Sequence, residues 1–155
     1  MLKLFAAGFL AVLACHQGVL AGLHALGVTD RTAFVLSSTA PLGVPQVLSL
    51  AFWGGVWAVV LWPVAARLAA RTGYWVAVLG LFTVVPSLTA WFVVAPLKGQ
   101  PMASGWQVAA MTTSLLVNAA WGLGVGLAMR SARSMATAPA ARMTYRPSSA
   151  RFTNR

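Results

Sequence analysis

The chain has 155 residues, of which 59% are hydrophobic and 8% charged, whereas soluble domains carry about 25% charged residues. That balance excludes an ordinary water-soluble fold and makes an integral membrane protein the expectation. The net charge of +10 comes from eleven Lys and Arg against one acid, Asp30.

A single acid excludes paired-carboxylate catalysis. It leaves a Ser-His-Asp triad open only through Asp30, which falls in a loop. The lone Cys15 excludes an internal disulfide and a Cys-rich metal site. No catalytic constellation can be assembled, and no cofactor is expected. No aromatic-basic patch accompanies the charge, so nucleic acid is not an expected partner.

Four apolar segments follow in order, at about 4–26, 46–66, 74–95 and 106–129. Each is about one bilayer crossing long. None shows the ten-residue alternation of a barrel strand, so the expected fold is all-α, a four-helix transmembrane bundle over residues 1–130. Residues 131–155, rich in Ala, Ser, Thr and Arg, are expected to form a basic, disordered tail lying on anionic lipid.

The cations set the expected topology. Lys3, Arg67, Arg71, Arg130, Arg133, Arg142, Arg146, Arg151 and Arg155 fall on one side, against Arg31 and Lys98 on the other. Under the positive-inside rule both termini are cytoplasmic. The first segment could be mistaken for a lipoprotein signal ending at Cys15. Its apolar run continues about eleven residues past that point, too far for a signal core, so retention is expected.

The first segment carries a seam of small residues: Ala7, Ala11, Ala14, Gly18, Ala21 and Ala25, with Gly18 and Gly22 also forming GxxxG. Small residues let helices approach closely in lipid. The expected use is packing within the bundle, or else contact with a second copy or a larger membrane complex. The long loop 27–45 follows, and Ala33–Leu36 could dip into the interface. The second segment holds the pair Gly54 and Gly55, and the fourth holds Gly122 and Gly126. The third contains Pro86, where a kink is expected. Trp62, Tyr74 and Trp75 are expected to form one aromatic belt, with Trp106 and Trp91 in the other.

Depth along the helices groups His16, Gln17, Thr83, Ser87 and Asn118 near the bilayer midplane. Polar groups there usually face the bundle interior or a wet cavity. They are expected to be a packing network, a site for a substrate or proton, or the pocket of a quinone headgroup. His16 and His24 are separated by about 12 Å of rise, so they cannot share one metal ion. His24 is expected to be a satisfied packing histidine, with contact to Asp30 or a lipid headgroup as the alternative.

Several strings, His16-Gln17-Gly18, Gly43-Val44-Pro45, Phe52-Trp53-Gly54-Gly55, Pro96-Leu97-Lys98-Gly99 and Trp121-Gly122-Leu123-Gly124, together resemble a group of small, uncharacterised bacterial inner-membrane proteins with four predicted spans. The resemblance covers residues 4–129. It implies a bacterial inner membrane and a compact bundle, and it brings no activity or site residue. The expected role is a non-catalytic structural or accessory subunit. The alternative is a small oligomeric transporter or channel built on the midplane cluster.

Overall fold

A computed structural model describes residues 1–40 and 42–137. Four helices long and apolar enough to cross a membrane dominate it: α1 Leu2–Ala25, α2 Gln46–Thr72, α3 Tyr74–Leu97 and α4 Val108–Thr137. The fold is an all-α helical bundle. The α1 N-terminus, the α2–α3 turn and the α4 C-terminus share one end, called here the termini end. The two longer connections share the other, the loop end.

Helix ends differ from the sequence expectation for local reasons. α2 runs to Thr72 instead of 66, because Arg-Leu-Ala-Ala-Arg contains no breaker. It stops at Gly73, whose φ of 85° and ψ of 151° suit glycine alone. α4 starts at Val108 instead of 106, because Ala103, Ser104, Gly105 and Trp106 form a left-handed turn with φ between 50° and 65°. It then continues to Thr137, so residues 131–137 of the expected tail are helical. The remaining tail, including Arg142, Arg146, Arg151 and Arg155, lies outside the described residues.

The helices pack in a ring, α1 against α2, α2 against α3, α3 against α4 and α4 against α1. Missing side chains make the closest approaches. A Cβ on Gly8 would collide with the Gly54 carbonyl and Ala58, and one on Gly54 with Val12. A Cβ on Gly55 would lie 2.6 Å from the Phe5 ring. On α4, Gly122 fits against Phe82 and Gly126 against Trp75, each 2.8 Å from an added Cβ. Gly124 sits over Cys15. Phe82, Val125, Ala58 and Ala65 are wholly buried between these contacts.

The small-residue seam on α1 does not fill this role along its length. Ala11 is buried, but Ala14, Gly18 and Ala25 are exposed, and nothing lies within 4 Å of a Cβ added at Gly18 or Gly22. The packing glycine is Gly8, one position off the seam. Beyond Ala11 the seam is turned away by a π-helical turn at Val12–His16, which inserts a residue into the helical repeat and rotates everything after it. Before this turn α1 lies along both α2 and α4; after it, Gln17–Ala25 keeps α4 as its neighbour and leaves α2.

A second π turn, Ala90–Val94, interrupts α3. α3 continues helically past Pro86 to Thr89, and its irregularity falls one turn later than the expected proline kink. The first π turn sits at the centre of α1 and the second on the loop-end side of the α3 centre, and toward the loop end the helices separate. Loop residues 26–40 and 42–45 fill part of the gap. The loop carries a two-residue antiparallel ladder, β1 Ser38–Thr39 with β2 Val44–Pro45, too short to show in the sequence pattern. Backbone bonds from Gln46 to Ser37 and from Val47 to Val35 tie it to the start of α2.

Two belt assignments are also corrected. Trp62 and Trp91 are buried and belong to the bundle. Trp62 stacks edge-on with Tyr74, ring centroids 6.3 Å apart, and the Tyr74 hydroxyl donates to the Gly126 carbonyl at 2.6 Å. Trp106 is exposed, as a belt residue would be.

Candidate functional site

The separation of the helices leaves a cleft of about 780 Å³ at the loop end, within the usual range for small-molecule sites, about 300–1,000 Å³. All four helices and both loops contribute to it. Each π turn delivers residues to the wall: Val12 and His16 from the first, Ala90, Trp91 and Val94 from the second. π turns recur at functional sites because the inserted residue aims side chains that a regular helix would point elsewhere.

The walls are aromatic. Trp53, Trp57, Trp91 and Trp121 line the cleft. Trp121 is 2% exposed, and its indole N–H donates to the Gly8 carbonyl at 3.0 Å. It stacks tilted on Phe82 with centroids 5.0 Å apart. Below Trp121 the bundle is closed by Phe82 and Val125, both fully buried. The cleft is therefore blind within one chain.

The five midplane polar residues divide into two networks. In the first, the Phe34 backbone N–H donates to Gln17 Oε1 at 2.7 Å. A backbone N–H can only donate, so this bond fixes which Gln17 atom is oxygen. The Gln17 amide nitrogen can then only donate, and it lies 3.3 Å from His16 Nδ1. His16 Nδ1 is accordingly the acceptor, and the neutral ring carries its proton on Nε2. Gln17 is 2% exposed and turned toward the loop, beside a smaller crevice of about 250 Å³ that also holds Asp30. His16 lines the main cleft.

In the second network Asn118 Nδ2 donates to Ser87 Oγ at 2.9 Å, and Ser87 Oγ donates to the Thr83 carbonyl at 2.7 Å. Thr83 enters through its backbone. Ser87 is fully buried and orients Asn118, which reaches the cleft. The two networks meet only across the cleft, through His16 on one wall and Asn118 on the other.

His24 is not part of the site. It turns to the loop, exposed, with Nδ1 donating to the Thr29 carbonyl at 3.0 Å, so its partner is the loop backbone and not Asp30. No group of three metal-ligating side chains occurs among the described residues.

Sequence reasoning missed several lining residues. Arg31 and Lys98, the two cations on the minority side, both line the cleft. Their isolation from the other nine cations was the available signal. Arg31 is exposed over much of its surface, yet partial burial of its head holds its pKa below the ordinary arginine value; it stays charged at any working pH. Trp91 carried a misleading signal, since its place near a helix end suited a belt. It is instead 8% exposed, and its indole N–H has no hydrogen-bond partner among the described residues.

No protein-family model matches the chain, and comparison with curated proteins and with solved structures gave no match either.

Proposed function

We propose that this is a non-catalytic membrane protein that works by holding one small amphipathic molecule in its loop-end cleft, as an accessory subunit of a membrane assembly. The observation that carries this reading is the cleft itself. It is drug-sized, walled by four tryptophans and blind at its floor, with His16 and Asn118 held facing it by buried partners. A site that binds and keeps a molecule has these features. A channel needs an open path past Trp121 and Phe82, so transport is the weaker reading for a single chain. The lone acid of the chain supports the absence of acid-base chemistry.

The charge distribution supports an orientation with both termini in the cytoplasm and the cleft facing outward. The resemblance supports a bacterial inner membrane. The basic C-terminal residues would rest on anionic cytoplasmic lipid. The bare face of Ala14, Gly18 and Gly22 supports contact with another transmembrane helix, from a second copy or a larger partner.

The test is gentle extraction followed by native mass spectrometry. A bound molecule of small mass should travel with the protein and disappear in Ser114→Trp, which fills the cleft from α4. Wild-type protein that flies bare, with tryptophan emission unmoved by any added amphiphile, would sink the reading. The same spectrum reports whether the chain runs alone, as a homo-oligomer or with a partner.

A further inference from the structure

The lining of the cleft carries positive charge and no acid. Its neutral polar side chains, Gln46, Gln107 and Asn118 among them, bring acceptors as well as donors. Arg31 enters from the first loop and Lys98 from the end of α3. Trp91 contributes an indole N–H with no partner among the described residues. His16 contributes Nε2–H, because Gln17 occupies its Nδ1. Asp30, the only acid in the sequence, lines the neighbouring crevice, which Arg31 also borders, and not this one. Two cations without an acid, beside a buried indole N–H that lacks an acceptor, favour a negatively charged occupant with acceptor atoms.

The donors are also ordered by depth. Arg31 and Lys98 stand at the mouth. Trp91 is six residues before the end of α3 at Leu97, about 9 Å down the helix axis. His16 is nine residues before the end of α1 at Ala25, about 14 Å down. Half of a bilayer core is about 15 Å thick. The cleft thus spans one leaflet, with its cations where headgroups lie and its neutral donors and tryptophans within acyl-chain depth.

We propose that the cleft holds an anionic acyl phospholipid, with its phosphate between Arg31 and Lys98, its ester carbonyls drawn down to the Trp91 and His16 N–H groups, and a chain along Trp53 and Trp57. This rests on the cleft-binding function above and names its ligand. It is a different lipid contact from the one proposed for the basic tail, which faces the opposite leaflet. Arg and Lys bind phosphate by charge-assisted bonds. The neutral donors tell an ester from an ether, because an ether oxygen is a poor acceptor.

The experiment uses the full chain in neutral detergent, titrated with short-chain phosphatidylglycerol, phosphatidylcholine of the same chains, the diether analogue of phosphatidylglycerol, and inorganic phosphate. Tryptophan fluorescence and native mass spectrometry read binding. Phosphatidylglycerol should bind about thirtyfold tighter than phosphatidylcholine, from two cations each worth about fivefold near a lipid surface. Arg31→Gln or Lys98→Gln alone should each remove about fivefold of that preference, and the pair should abolish it. Arg67→Gln, at the termini end, should leave it intact. The diether should bind several-fold more weakly than the ester lipid, and Trp91→Phe should erase that difference.

Equal affinity for the anionic and zwitterionic lipids would overturn the headgroup assignment while leaving a binding cleft in place. Equal affinity for ester and diether would overturn the carbonyl assignment. Phosphate alone binding as tightly as the lipid would identify a soluble anion as the occupant and overturn the lipid proposal. Failure of every probe, with no bound mass in the native spectrum, would instead count against the cleft-binding function itself.

Discussion

The two halves of the bundle are built from the same kinds of residue and solve different problems. From the floor of the cleft toward the termini end, Gly8, Gly54, Gly55, Gly122 and Gly126 bring backbones together until an added methyl group would collide with a neighbour. At the loop end, Gly18 and Gly22 on α1 meet nothing, while His16 and Trp91 line a cleft. Two π turns separate the halves. In lipid there is little hydrophobic drive to bring helices together, so close packing supplies the attraction. Where packing is given up, some other contact must replace it. The closed half holds the fold and the open half is available for a ligand.

The most severe way to break this contrast is to crowd the closed half. Gly8→Val places two methyls and a Cβ against the Gly54 backbone and Ala58. Neither is the far end of a flexible side chain, so the helices must part. The expected loss is about 3 kcal/mol, the upper end of overpacking costs, read as a fall in the unfolding midpoint in detergent. A loss below about 1 kcal/mol would mean that α1 and α2 are not held at this distance.

Next in size is Gln17→Leu in the open half. It removes the acceptor for the Phe34 N–H and the donor to His16. Leaving a part-buried backbone donor unsatisfied costs about 1–3 kcal/mol, and the loop loses its anchor on α1. Trypsin should then cut after Arg31 faster, with the closed half unaffected. Unchanged cleavage would show that the loop is held by its backbone bonds to α2 alone.

These two sites also mark what the sequence could reveal. Charge poverty and four apolar runs sufficed for the helix count and class. Gly54, Gly55, Gly122 and Gly126 were readable as places of close approach, because glycine in a membrane helix has few other uses. Gly8 and the idleness of Gly18 were not readable. A π turn adds one residue to the local repeat without a sequence signature, and the face of every later residue shifts. Gly8 lies ahead of both π turns; the turn at Val12–His16 bears on His16, Gln17 and Gly18, and the turn at Ala90–Val94 on Trp91. Depth placed His16 and Asn118 at a common level, but rotation about the helix axis decides which side chains converge, and a uniformly apolar pattern carries little rotational information. The cleft exists only once the helices are packed.

Asn118→Leu has a smaller expected effect on stability. It removes one interhelical bond, to Ser87, and such bonds average about 0.6 kcal/mol in membranes. Its larger effect should be on the cleft, where it removes a polar group opposite His16. Ligand affinity should fall in Asn118→Leu and in His16→Leu by more than in any substitution on the lipid-facing surface, such as Leu10→Ala. If both variants bind normally, the polar residues are packing groups only.

The smallest effect is expected at the idle glycines. Gly18→Ala and Gly22→Ala meet no neighbour within 4 Å and replace a poor helix former with the best one. Each should leave the monomer as stable as before or more so, by up to about 1 kcal/mol. That outcome, opposite in sign to Gly8→Val on the same helix, isolates the role of close approach from that of glycine itself. The paired variant Gly18→Leu with Gly22→Leu then asks what the bare face is for. A face that only meets lipid accepts the larger side chains without consequence. A face that packs against a helix of another subunit should lose that subunit from the native-gel band while the monomer's unfolding midpoint stays where it was.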